Sequence, residues 1–80
     1  MVKDYLQALE THLQGPWKRP LLTLLHAYLT TPEEDLHTVR WQLYNLIDRA
    51  KKTDGYGTAL LLDTLIAGFR QAVKNEGGEP

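Results

Sequence analysis

The sequence predicts an all-α fold, a small antiparallel four-helix bundle with short loops. Three observations predict it. Apolar residues recur at helical spacing along four separate stretches, Gly15-Pro16, Thr31-Pro32 and Asp54-Gly55 punctuate the gaps between them, and no run alternates in the manner of a strand. Eighty residues of 42% hydrophobic content provide for one core, because separate cores become usual only at several times this length. The expected domain is residues 1–74, followed by a flexible tail over 75–80 that is polar and contains Gly77-Gly78.

The first helix is expected over residues 2–14, where Val2, Tyr5, Leu6, Leu9 and Leu13 share one side and Lys3, Asp4, Gln7, Glu10, Thr11 and Gln14 the other. Gly15-Pro16 ends it, since glycine takes the left-handed cap conformation and proline cannot continue the ladder. The second, over 20–30, starts at Pro20, whose missing amide suits a first turn. Its Leu21, Leu22, Leu24, Leu25, Tyr28 and Leu29 cover an arc of roughly 160°, which predicts the most buried helix.

The third helix, over 32–52, rests on the sharpest local signal in the chain. Thr31-Pro32-Glu33-Glu34 reads as a capping box with proline at the first helical position, and Glu33 and Asp35 oppose the positive end of the helix dipole. Leu36, Val39, Leu43, Leu46, Ile47 and Ala50 come after it as the apolar stripe, and Arg49, Lys51 and Lys52 suit the negative end. Thr53-Asp54-Gly55-Tyr56-Gly57 has turn composition, with Asp54 or Thr58 available to cap the next helix. The fourth helix is expected over 58–74, with Leu61, Leu62, Leu65, Ile66, Phe69, Ala72 and Val73 on one face and Asp63, Arg70 and Lys74 opposite.

Composition removes several kinds of chemistry. The chain has neither cysteine nor serine, so it offers no disulfide, thiolate, Cys-ligated zinc or serine nucleophile. Met1-Val2-Lys3-Asp4 enters the first amphipathic pattern without the basic end and apolar run of a secretory signal, and a cytoplasmic location is expected. The apolar stretch Leu21–Leu29 falls well short of the ~20 residues that span a bilayer, so no membrane association is expected.

His12, His26 and His37 sit on three helices with no pair at ligand spacing, and Asp54-Gly55-Tyr56-Gly57 lacks the lysine and strand of a phosphate loop. Nothing in the spacing of Glu10, Asp48 and Asp63 marks an acid–base pair. Typical ligand pockets need ~300–1,000 Å³, which a packed domain of this size scarcely has to give. No catalysis, metal, cofactor or small-molecule substrate is therefore expected.

Two surfaces remain. Lys18 and Arg19 before the second helix, with Arg40, Arg49, Lys51 and Lys52 on the third, are the residues a nucleic-acid-associated regulator would use. Against this alternative, nine Lys+Arg against ten Asp+Glu give no attracting field, and Glu33, Glu34 and Asp35 put negative charge where a recognition helix meets phosphates. A solvated helix end complementing its own dipole accounts for Arg49, Lys51 and Lys52 more simply.

The second surface is made of residues that do not fit a core. With the third helix's stripe centred on Leu43, Trp41 points roughly 160° away, and His37, Tyr44 and Asp48 lie on the same flank. Aromatic residues and arginine are enriched at the centres of protein interfaces. His37, Arg40, Trp41, Tyr44 and Asp48 thus form the expected contact surface for another protein or a second copy of the chain. Trp17, between the first two helices, and Leu60, off the stripe of the fourth, are secondary candidates. The competing expectation is that Gly15-Pro16-Trp17 or the tail folds over Trp41. The first two helices are ~15–20 Å long and the third ~30 Å, so part of the third should project beyond them.

Overall fold

The computed structural model describes residues 1–76. In chain order it consists of α1 (Val2–His12), α2 (Lys18–Thr30), a 3-10 turn (Glu33–Asp35), α3 (Leu36–Asp54) and α4 (Tyr56–Glu76). The helices alternate in direction. At one end the Met1 amine lies 3.7 Å from the Glu76 carboxylate, which joins the start of α1 to the end of α4. At the other, the Trp17 indole N–H just before α2 donates to the carboxylate of Asp54, the last residue of α3. Each helix packs on its neighbours around a ring, α3 against α4 most extensively, and α2 touches α4 across the middle.

The core is one cluster drawn from all four helices: Val2, Leu6 and Leu9; Leu21, Leu22 and Leu25; Val39, Leu43, Leu46 and Ala50; Leu62, Ile66 and Phe69. Phe69 is fully sealed and meets the edge of the Tyr28 ring at 5.5 Å and 86°, the geometry aromatic quadrupoles favour. α2 has the largest share of covered residues of the four helices, although its apolar arc is not covered throughout. Its Leu29 is exposed and Leu24, Ala27 and Tyr28 are only partly covered, because α2 packs mainly on α1 and α3 and meets α4 lightly. On α4, Leu61 stands exposed, and Ala59 takes the inward position one turn before Leu62.

Local chemistry explains where the boundaries depart from expectation. α1 stops at His12, with Leu13 already extended at φ −74°, ψ 135°. α2 begins at Lys18, two residues before Pro20. The first amide of α2 to find a partner within the helix is that of Leu21, bonded to the Trp17 carbonyl at 3.0 Å, so the proline still falls where an amide would have had no acceptor.

The capping box does not form. The Thr31 hydroxyl instead donates to the Ala27 carbonyl at 2.6 Å, alongside the Thr31 amide at 2.9 Å. The hydroxyl thereby serves the unpaired carbonyls at the end of α2 rather than the unpaired amides of the next helix. Deprived of that cap, the chain makes a 3-10 turn over Glu33–Asp35, and α3 begins at Leu36 with no side-chain cap bond. Gly55 alone connects α3 to α4. Its φ of 96° is reached readily only by glycine; its amide bonds the Lys51 carbonyl at 3.0 Å and its carbonyl accepts from the Ala59 amide at 3.3 Å. Asp54 therefore ends α3, Thr58 lies inside α4, and neither is a cap. α4 continues to Glu76, past the expected end at 74, so Asn75 and Glu76 of the tail expected over 75–80 are helical, and its residues 77–80 lie outside the described residues. Among the described residues no helix is long and apolar enough to cross a membrane.

α1 is held against α4 by one close approach. The Tyr5 hydroxyl donates to the Leu65 carbonyl at 2.6 Å, and its ring lies over Gly68 so closely that a Cβ there would fall 2.4 Å from the phenolic oxygen. Alanine at Gly68 would raise helix propensity by ~1 kcal/mol but collide with a ring fixed by its hydrogen bond, an overpacking of ~1–3 kcal/mol. Gly68→Ala is expected to lower the thermal midpoint of the native chain, and to raise it in a Tyr5→Ala background where the collision is gone. A rise in both backgrounds would refute the close approach.

Burial also pushes the Tyr5 hydroxyl above its ordinary pKa of 10.0. Between the unfolded and folded values the unfolded chain holds fewer protons, so stability falls as pH rises past about 10. Chemical denaturation at rising pH should show a decline that Tyr5→Phe reduces.

Candidate functional site: the outer face of α3

Four buried residues, Val39, Leu43, Leu46 and Ala50, fix the rotation of α3 about its axis. On the side toward α4, Arg40, Leu43, Tyr44 and Ile47 line a narrow groove of about 60 Å³ with Asp63, Ile66 and Arg70. On the side toward α2, Gln42, Asn45, Asp48 and Arg49 border a more open groove with Pro20, Thr23 and Leu24. His37, Trp41 and Tyr44 face away from the core, and all three are exposed.

Trp41 is 65% and Tyr44 63% exposed. Their rings meet edge to face at 6.5 Å and 71°, one turn apart on the same face. Neither Trp17 nor any other described segment covers them. Nor does their exposure come from an overhang of α3, since Val39 near its start and Ala50 near its end are both buried. It comes from the face on which they lie.

Charges flank the aromatic pair. Arg40 and Arg70 stand on the α4 side with Asp63 between the helices. Asp48 pairs with Lys52 at 3.1 Å, with both side chains largely exposed; ion pairs of this kind contribute ~0–1 kcal/mol.

Asp63 and Arg70, which the sequence places only opposite the apolar side of the fourth helix, become neighbours of the site through the one-residue turn. About Gly55, positions equally far along each helix are level with one another, so Arg40 is level with Arg70, Tyr44 with Ile66 and Ile47 with Asp63, and all six line the same groove. The signal was Gly55 itself, readable only once the turn is known to be a single residue.

The two secondary candidates fall elsewhere. Trp17 is partly buried against the core with its N–H on Asp54, so it belongs to the seam between α2 and α3. Leu60 is 50% exposed but sits nearer the turn than Phe69, the residue level with Trp41, by about 14 Å along the hairpin.

The basic residues are not gathered into one patch. Lys18 lies 3.8 Å from the Glu10 carboxylate, Lys52 pairs with Asp48, Arg40 faces α4 and Arg49 faces α2, with Arg19 in the groove beside α1 and Lys51 exposed near the end of α3. That α1–α2 groove, about 500 Å³ and open to solvent, is bordered by Glu10, Lys18, Arg19, Thr23 and His26. Among the described residues no three histidine or acidic side chains come together as metal ligands would. Searches against protein families, curated proteins and solved structures find no match for the chain.

The two indoles provide a check on this geometry. With Trp17→Phe, the remaining Trp41 should emit at long wavelength and be strongly quenched by acrylamide. With Trp41→Phe, the remaining Trp17 should emit at shorter wavelength and be quenched less. The reverse order would refute the placement of both residues.

Proposed function

We propose that the protein is a non-catalytic protein-docking module, of the adaptor, inhibitor or immunity type, whose contact surface is the outer face of α3. One observation carries the reading: Trp41 and Tyr44 stand together, edge to face and mostly exposed, on a helix whose core stripe is complete without them. Large aromatic rings bordered by arginine are the side chains that dominate binding energy where proteins meet, and exposed apolar groups gathered in one place mark such surfaces better than scattered ones do. Arg40 beside Tyr44 supplies the charged border, and His37 and Asp48 supply polar groups at the two ends of the stripe.

Truncation of Trp41 separates docking from folding. Trp41→Ala is expected to shift stability by no more than ~0.5 kcal/mol, as for a surface position, while weakening capture of the bound protein by ~2 kcal/mol or more, about 30-fold. Placement of the surface is tested with a photo-crosslinking side chain at position 44 and, as control, at Thr64, which is exposed on α4. Crosslinks to protein from 44 and not from 64, in the native host, support the reading. Equal crosslinking from both sites, or none from either, overturns it.

A further inference from the structure

Resting on that docking surface, we infer that its occupant is a second copy of this chain, bound with α3 antiparallel to α3. The order of residues along the exposed stripe points to this arrangement. His37, Trp41, Tyr44 and Asp48 are separated by four, three and four residues, so they lie in one line on the helix. The spacing is the same from either end. A two-fold axis running between the two α3 helices, perpendicular to them and level with the midpoint between Trp41 and Tyr44, therefore seats Trp41 of each copy on Tyr44 of the other, and His37 of each copy against Asp48 of the other.

A two-fold interface uses the same patch on both subunits, so the patch must complement itself. This one does: an imidazole stands at one end, a carboxylate at the other, and two aromatic rings between. Arg40 lies on the α4 flank, which the two-fold keeps on one side of the pair, so it falls beside Tyr44 and Ile47 of the other copy, and no like charges meet along the line itself. A parallel arrangement would instead set His37 on His37 and Asp48 on Asp48. Asp48 is free to exchange partners, since its bond to Lys52 joins two largely exposed groups and such pairs contribute little. The stripe runs ~17 Å, so the buried area belongs to the small class of interfaces, under ~1,200 Å² in total. Association in the micromolar range is therefore expected rather than a permanent dimer.

Sedimentation of the full chain from about 1 μM to about 1 mM should show a monomer–dimer equilibrium, and Trp41→Ala should raise its dissociation constant by about 30-fold or more. The arrangement is tested by charge exchange. Asp48→Lys faces His37 with a lysine, and His37→Glu faces Asp48 with a glutamate, so each variant alone should be monomeric while retaining the native circular dichroism. Mixed in equal amounts, they should form a heterodimer, in which one new Glu–Lys pair joins one native His–Asp pair.

A chain that stays monomeric throughout the range overturns the second copy as occupant. So do variants that still self-associate, and variants whose mixture remains monomeric. If the chain is monomeric but position 44 crosslinks to a different protein, the dimer alone fails and the docking surface stands. If position 44 crosslinks to nothing, both fail.

Discussion

A helix has one circumference, and α3 commits the inward part of it to Val39, Leu43, Leu46 and Ala50, all buried against the rest of the bundle. At ~100° per residue that choice settles every other position. Arg40 and Ile47 fall to the α4 side, and Gln42, Asn45 and Arg49 to the α2 side. The remaining arc holds His37, Trp41, Tyr44 and Asp48. Rotating α3 to cover Trp41 would bring Leu46 and Ala50, both fully buried, toward solvent. Aliphatic burial elsewhere on the helix therefore holds the indole outward.

The one-residue turn at Gly55 gives that face its surroundings. A longer loop would let α3 and α4 slide past each other, whereas Gly55 serves both helix ends at once and fixes their register. Asp63 and Arg70 then stand beside Arg40 and Tyr44 without any direct bond required between them. On its other side α4 is located by Tyr5, whose hydroxyl bonds the Leu65 carbonyl and whose ring lies over Gly68. Two glycines with different tasks thus position α4, one by its backbone freedom and the other by having no side chain.

The fold class and the outward face are legible in the sequence because both arise from periodicity, which depends only on spacing within one helix. The face that exposes Trp41, and the inward residues of α3 from Val39 to Ala50, can be read directly. Competitions between neighbouring elements cannot. Thr31 has one hydroxyl proton and two helix ends within reach, and nothing local shows that Ala27 receives it. Leu61 lies next to Leu62 and shares its apolar character, yet at 100° away it falls outside the buried face that small Ala59 joins instead. Trp17 resembles Trp41 in sequence as a bulky residue outside any stripe. Its partner Asp54 is 37 residues away, a separation at which spacing carries no information.

The contrast between the two tryptophans bears on the docking role proposed for the α3 face. Trp17 lies partly covered with its N–H satisfied, the ordinary fate of an indole in a small domain. Trp41 has the same chemistry and neither feature. Leaving an aromatic side chain exposed forgoes ~1.5–3 kcal/mol of burial, in a chain whose size implies ~4–12 kcal/mol of stability in all. A surface role that needs only charge or polarity gains nothing from that exposure. Docking does gain, because the stabilisation withheld from folding becomes available to association when the ring is covered. The same criterion separates the α3 face from the basic residues: Lys18 and Lys52 already lie beside acidic side chains, whereas Trp41 and Tyr44 remain mostly exposed.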